Sequence, residues 1–254
     1  HVSYRPAIHG DGSPAFGSVT HSYSLSSAPF DTAATGEIEI YIGLERVGPG
    51  QFGRLTESLF RSENHVGDTV AYVNRIVGNF TLETRAKDAR HVLMVGTGTG
   101  LAPFVGMMKQ AAHDARTGRG SDVQYTLIHA HRTPGELGYD AELLELADAH
   151  IAGFDFAYVR SVSRPAEEDR RDARLCVGRA NNLLRALFDL PLLEQEPAAR
   201  VTHPEFGAAV SKSALRDRLP RGGTTVMTCG NRDLMEDVRR IASLLDFRFE
   251  MEEW

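Results

Sequence analysis

The segment His91–Phe104, HVLMVGTGTGLAPF, places a strand, a turn and a helix start in one short stretch. His91-Val92-Leu93-Met94-Val95 is apolar, β-prone and without polar alternation, the pattern of a strand buried on both faces of a parallel sheet. Gly96, Gly98 and Gly100 follow at once, then Pro103, then apolar residues at helical spacing, Val105, Met108 and Ala112. Glycines permit close backbone approach. The open N–H groups of a first helical turn attract an anion, and proline in that turn forfeits no hydrogen bond. The turn formed by Gly96, Thr97, Gly98, Thr99, Gly100 and Pro103 is therefore expected to hold a phosphate. Leu101 stands where the third glycine of G-x-G-x-x-G would be, so the ordinary dinucleotide fingerprint is not met.

On the carboxyl-terminal side, strands are expected near 91–96, 123–130, 154–160 and 224–228. They alternate with helices near 101–116, 139–149, 179–189 and 231–245. That alternation is the signature of a parallel sheet with helices on its faces. Residues 191–222, rich in Pro, Glu and Arg, look like an insertion or long connection. On the amino-terminal side, short strands are expected at Val2–Ile8, Ser22–Ser26, Ile38–Leu44, Thr69–Val73 and Asn79–Glu83, with a helix opening near Gly53. Many short strands separated by turn signals suggest a small antiparallel barrel. The polar segment Thr84–Arg90 marks the boundary, giving an incomplete barrel domain over residues 1–86 and an α/β domain over 87–254.

The 254 residues can bury a sizeable core, and no apolar run approaches the roughly 20 residues of a membrane span. A net charge of -6 argues against nucleic acid as the main partner. Two cysteines, Cys176 and Cys229, are too few for a four-cysteine iron–sulfur or zinc site. They suggest a reducing, cytoplasmic compartment. No basic and apolar leader follows His1. Cys176 reads as a small buried hydrophobe. His129 and His131 are expected on opposite faces of their strand, structural rather than metal-binding.

Two further stretches carry chemistry. His21-Ser22-Tyr23-Ser24-Leu25-Ser26-Ser27-Ala28-Pro29 is a strand ending in hydroxyls and one aromatic ring, suited to stacking and edge-bonding a flat heteroaromatic ligand. Gly53-Arg54-Leu55-Thr56-Glu57-Ser58-Leu59 is a helix start whose N–H groups and arginine suit a pyrophosphate.

The order YSLSSAP, GRLT, Gly78-Asn79-Phe80-Thr81-Leu82, GTGTGLAPF and Cys229-Gly230-Asn231 resembles the ferredoxin-NADP reductase family, most of all its bacterial branch, because the chain ends in the aromatic Trp254. The resemblance spans nearly the whole chain. It implies a barrel holding FAD and an α/β domain holding NADP(H). Tyr23 would stack on the isoalloxazine ring with Ser24 near its reactive nitrogen, within the binding stretch His21–Ser26. Gly53, Arg54, Leu55 and Thr56 would contact the FAD pyrophosphate through side chain and backbone. Gly96–Gly100 would cradle the nicotinamide dinucleotide, Cys229 with Gly230 and Asn231 would lie beside the nicotinamide, and Trp254 would cover the flavin face. Arg132, Arg164 and Arg179, at or past strand ends and at a helix start, match the positions that hold a 2′-phosphate, which favours NADP(H). Glu250, Glu252 and Glu253 read as a solvated charge run.

Two departures stand out. His21 replaces the family's usual arginine, which throws more of the phosphate charge on Arg54. The family's first two barrel strands and a Pro-Gly-Gln turn have no counterpart before Val2, so the native protein is expected to continue upstream. The implied activity is electron transfer between NADPH and ferredoxin or flavodoxin. The alternatives are a reductase component or module of a multicomponent oxygenase, such as a benzoyl-CoA oxygenase-type system, and a nucleotide-binding regulatory domain without flavin.

Overall fold

The computed structural model describes residues 2–4, 19–61, 65–67, 76–193 and 203–252. Its amino-terminal part holds β1 (Val2–Tyr4), β2 (Val19–His21), α1 (Pro29–Thr35), β3 (Arg46–Gly48), β4 (Gln51–Phe52), α2 (Arg54–Leu59) and α3 (Leu82–Arg85). The remainder holds β5 (His91–Thr97), α4 (Ala102–Arg116), β6 (Gln124–His131), α5 (Asp140–Asp148), β7 (Asp155–Val162), β8 (Leu175–Val177), α6 (Ala180–Leu187), α7 (Lys212–Asp217), β9 (Thr224–Cys229), α8 (Arg232–Leu245) and β10 (Arg248–Met251).

The last six strands form one parallel sheet in the order β10-β9-β5-β6-β7-β8. β5 lies inside it because its side chains are apolar on both faces. Leu93 and Val95 enter one core with α6, α7 and α8; Val92 and Met94 enter the other with α4 and α5. From β5 the chain builds outward through β6, β7 and β8, then returns to add β9 and β10 on β5's other side. Such a reversal opens a crevice at the carboxyl ends of the strands, here those of β5 and β9.

α8 packs through Met235, Val238, Ile241, Ala242 and Leu245, spaced three or four apart. Its first turn is capped by Asn231, whose side chain accepts from the N–H groups of Asp233 and Leu234. Asp237, on its inner side, is fully enclosed and bonded to Arg185 Nε at 3.0 Å and Asn181 Nδ2 at 2.9 Å, which ties α8 to α6.

The amino-terminal part differs from expectation. The described residues give two short antiparallel pairs, β1 with β2 and β3 with β4, and one isolated bridge between Leu25 and Ile40. A closed barrel is not traced by them. Ser22–Ser26 runs on from β2 as extended chain with that single bridge. Ile38–Leu44 alternates as a strand should, yet Ile38 is 48% and Leu44 38% exposed and only the half-buried middle, at Ile40, makes a bridge among the described residues. Asn79–Glu83 is not a strand either: Thr81 and Thr84 form a reciprocal capping box that starts α3. The expected strand Thr69–Val73 lies outside the described residues, as does the part of Val2–Ile8 after Tyr4. The connection 191–222 carries α7, and its Glu205 pairs by backbone with Val177 at 2.8 and 2.9 Å.

Asp237→Ala should cost about 3–5 kcal/mol in urea unfolding, because it strands the Arg185 guanidinium in the core. The double change Asp237→Leu with Arg185→Met should recover most of that loss.

Candidate functional site

At the crevice, β5 runs into a 3₁₀ turn, Gly98–Leu101, and then into α4 with Pro103 in its first turn. This turn sits directly on the turn after β9. A side-chain carbon at Gly100 would lie 2.5 Å from the Cys229 carbonyl carbon and 2.6 Å from Gly230 Cα. One at Gly230, whose φ is +135°, would run into Thr97, 2.9 Å from its carbonyl oxygen. These two glycines therefore serve backbone-to-backbone packing. Gly96 is likewise buried against Leu101 and Phe104. Gly98 and Thr99 remain open to the crevice, and beside them the Thr97 hydroxyl is buried without a hydrogen-bond partner. That oxygen lies against Gly230, and an orphaned polar atom beside an open turn is a place where a ligand could complete a hydrogen bond.

The second feature joins the two parts of the chain. Glu252 follows β10, held by its N–H to the Thr228 carbonyl at 3.1 Å. Its carboxylate accepts from Ser24 Oγ at 2.9 Å and from the Cys229 thiol at 2.9 Å. Burial pushes the Glu252 carboxyl up, against the pull of those two donors. Burial, and then the charge of Glu252, pushes the Cys229 thiol up as well, so it stays an S–H donor rather than a thiolate. Tyr23, next to Ser24, is half-buried; burial and the charge of Glu45 raise its phenol. Tyr23, Ser24, Leu25, Ile40, Phe80 and Glu252 line a cavity of about 1220 Å³ closed on its other side by α4. An aromatic ring, hydroxyls and apolar walls fit a flat heteroaromatic group.

The reading of Glu250, Glu252 and Glu253 as a solvated run is therefore corrected. Glu252 is the hub just described, and Glu250 pairs with Arg85 and Arg248, each at 3.1 Å. Glu253 and Trp254 lie outside the described residues. Nothing local in the sequence marks Glu252, because its partners come from the far end of the chain and from a neighbouring strand.

The remaining predicted residues divide into open and occupied. His21 is exposed, its ring 6.5 Å from that of Tyr23. Arg54 is exposed at the first residue of α2, which packs against β2. Leu55 is core, and the Thr56 hydroxyl is taken by the Glu45 N–H and the Gly53 carbonyl, each at 3.1 Å, so only their backbones face outward chemistry. Ser26 is buried and accepts from the Tyr139 hydroxyl at 2.9 Å. Asn231 is occupied as the cap of α8.

Arg132 and Arg164 are brought side by side, because the Arg164 N–H bonds the Arg132 carbonyl at 2.8 Å just past the ends of β6 and β7. Arg179 follows β8, the next strand, at the start of α6. All three are exposed, and among the described residues no carboxylate pairs with them. Cys176 is fully buried, as expected. His129 and His131 are two apart and so share one face of β6, contrary to expectation. They nevertheless take different partners, Tyr158 and Glu136.

Residues 94–180 match the family model of the oxidoreductase NAD-binding domain. The chain is 30% identical over 134 residues to inducible nitric oxide synthase of Canis lupus familiaris, which covers 51% of this chain and 11% of that protein. It thus spans about a tenth of the length of the curated relative it matches. Among solved structures, the cytochrome b5 reductase domain of Ulva prolifera nitrate reductase aligns with a TM-score of 0.60 at 18% identity, over 95% of this chain and 78% of that one. The FAD/NAD-binding domain of Vibrio cholerae nitric oxide dioxygenase aligns at 0.56 and 18%, over 100% and 82%. Ferredoxin-NADP+ reductase from Plasmodium falciparum aligns at 0.53 and 12%, over 91% and 76%. The chain has the ferredoxin-NADP reductase fold. The matched residues include the glycine turn and strands β6, β7 and β8; the Cys229 turn lies beyond them, packed on the glycine turn, and Ser24 reaches Cys229 through Glu252.

Because the Glu252 carboxyl is raised in the folded protein, the native state binds its proton more tightly than the unfolded chain does. Its contribution to stability therefore falls as pH rises from the ordinary value of 4.5 through the folded value, and is level above it. Glu252→Gln should remove that slope. The gap in urea midpoint between variant and wild type should widen in the variant's favour from pH 4.5 to pH 7.5. An unchanging gap would show that the carboxylate is not buried as a charge.

Proposed function

We propose that this chain is an FAD-containing oxidoreductase that moves electrons between NADPH and a one-electron carrier, ferredoxin or flavodoxin. The observation that carries the reading is the Ser24–Glu252–Cys229 contact at the crevice of an NAD-binding sheet. It joins the stretch suited to a flat ring to the turn suited to a nicotinamide.

A bound flavin supplies the exchange of a hydride for single electrons. The chain's own residues supply placement. The Tyr23 ring offers the stacking surface and Ser24 a hydroxyl at its edge, held in place by Glu252. Arg54 and the α2 backbone, with His21 nearby, would take the FAD pyrophosphate. Across the crevice, the open Gly98–Thr99 backbone and the Thr97 hydroxyl would hold the dinucleotide diphosphate. Cys229, kept as a neutral thiol, would border the nicotinamide without competing as a nucleophile. Trp254, two residues past Glu252, is proposed to cover the flavin face. Arg132, Arg164 and Arg179, aligned along three adjacent strand ends, would hold the 2′-phosphate and so select NADP(H) over NAD(H). Among the described residues no helix is long and apolar enough to cross a membrane. The free cysteines Cys176 and Cys229 fit the cytoplasm as the working compartment.

A second reading, the reductase component or module of a multicomponent oxygenase such as a benzoyl-CoA oxygenase-type system, draws on the likeness of fold to the FAD/NAD-binding domain of a nitric oxide dioxygenase. Purification with added FAD, followed by absorbance and NADPH-driven reduction of ferredoxin, flavodoxin and an oxygenase iron–sulfur component, separates the readings. A flavin spectrum with ferredoxin or flavodoxin reduction supports the first. Reduction of the oxygenase component alone supports the second. A colourless protein that retains no FAD leaves only a nucleotide-binding regulatory role.

Replacing Arg132, Arg164 and Arg179 with alanine should raise the KM for NADPH at least about tenfold, the value of one charge-assisted bond, and shift that for NADH less than about threefold. Equal shifts would remove the 2′-phosphate assignment.

A further inference from the structure

We infer that His131 contacts the nucleotide in the crevice, its Nε2–H donating to the diphosphate held at the Gly98–Leu101 turn. The inference rests on the NADPH reading above and adds a residue to that site. β6 is the strand beside β5, and His131 is its last residue. A side-chain carbon built on Gly98 would meet His131 Nε2 at 3.8 Å and nothing else within 4 Å. The ring edge therefore borders the open side of the turn, and the side chain is 21% exposed there.

Nδ1 is already engaged, by the Arg132 N–H at 3.0 Å and by Glu136 Oε2 at 3.1 Å, and Glu136 is itself fixed by the Thr133 N–H at 3.0 Å and hydroxyl at 3.1 Å. Nε2 is therefore the ring nitrogen left to the crevice. With a diphosphate at that edge the ring presents its N–H there, and Nδ1 accepts from the Arg132 N–H.

His129 makes the contrast. Its Nδ1 is 2.9 Å from the Tyr158 hydroxyl, whose only proton goes to Asp140 at 2.9 Å. His129 must therefore donate from Nδ1, which leaves Nε2 a bare buried acceptor. Burial, and then the neighbouring His131, depresses its pKa to about 3, so it stays neutral. An acceptor repels an anion. Of the two rings only His131 leaves an open Nε2 edge to turn to the diphosphate, to which the start of the turn and of α4 also present the positive end of a helix. The diphosphate is shared by NADPH and NADH, whereas the 2′-phosphate belongs to the arginines farther along the sheet edge.

The test is calorimetric titration of the FAD-loaded full chain with NADP+, NAD+ and ADP, for wild type, His131→Phe and His131→Gln. Phenylalanine keeps the ring plane without a donor; glutamine restores an N–H near the Nε2 position. His131→Phe should weaken all three ligands alike, by about tenfold or more, and His131→Gln should return them to within about threefold of wild type. Unchanged binding by His131→Phe, with circular dichroism and melting temperature also unchanged, overturns the inference and leaves the NADPH reading intact. A loss confined to NADP+ overturns it in favour of a 2′-phosphate contact. Should His131→Phe fail to fold, a tenfold loss in a folded His131→Gln overturns it. Failure of the wild type to bind any of the three ligands overturns both.

Discussion

The close approach of two turns governs this structure. Gly100, after β5, and Gly230, after β9, meet with no room for a side chain on either, so the carboxyl ends of these neighbouring strands are locked in one relation. That lock sets where Cys229 sits, and through β10's ladder on β9 it also sets where Glu252 sits. Ser24 then completes the set by reaching Glu252 from the other half of the chain. A position in the amino-terminal part is thus fixed by packing in the carboxyl-terminal sheet, which is what the proposed arrangement of two facing ligands needs.

The arginines divide by the same logic. Arg160 is held by Asp140 and Asp172, Arg185 by Asp237, and Arg218 by Asp155, all within the frame. Their charges are neutralised and their geometry fixed, so they stabilise elements rather than recruit ligands. Arg132, Arg164 and Arg179 lie on the rim where the strands end, without carboxylates beside them among the described residues. A rim of cations left uncompensated in a chain of net charge -6 is a local reversal of the protein's overall sign.

How much of this the sequence disclosed follows from burial. Four strands of the parallel sheet were legible, β5, β6, β7 and β9, because they are β-prone stretches long enough to read, and α8 shows helical spacing throughout; β8 and β10, three and four residues long, were not read as strands. The amino-terminal part was not. α1 buries none of its residues, so it carries no periodic signal beyond Pro29 at its start and Gly36 at its end. Ile38–Leu44 imitates a strand but stays largely exposed, and the β3–β4 hairpin is too short to show a pattern. Glu252 was misread for a different reason. A carboxylate between two others looks solvated in one dimension, and only the ladder beside β9 brings it to a hydroxyl and a thiol.

The same limit applies at the seam between the halves. Tyr139 adopts φ +57°, a conformation that costs a non-glycine residue of order 1 kcal/mol or more, and nothing in its sequence neighbourhood requires this. The compensation comes from the opposite half. Its hydroxyl donates to buried Ser26, its ring meets Tyr41 edge-on at 5.5 Å, and Lys109 lies 5.2 Å over it while bonded to Glu142 at 2.8 Å and near Glu39 at 3.7 Å. Tyr41 in turn packs where a side chain on Gly138 would stand, 2.6 Å from its hydroxyl. Strain in one backbone angle is thus offset by contacts reaching Ser26, Glu39 and Tyr41, residues beside the Tyr23–Ser24 stretch. Because these contacts and the Glu252 hub approach the same stretch from α5 and from β10, it is braced from two directions. The proposed placement of two ligands at a fixed separation requires bracing of that kind, since a single contact would leave the halves free to pivot.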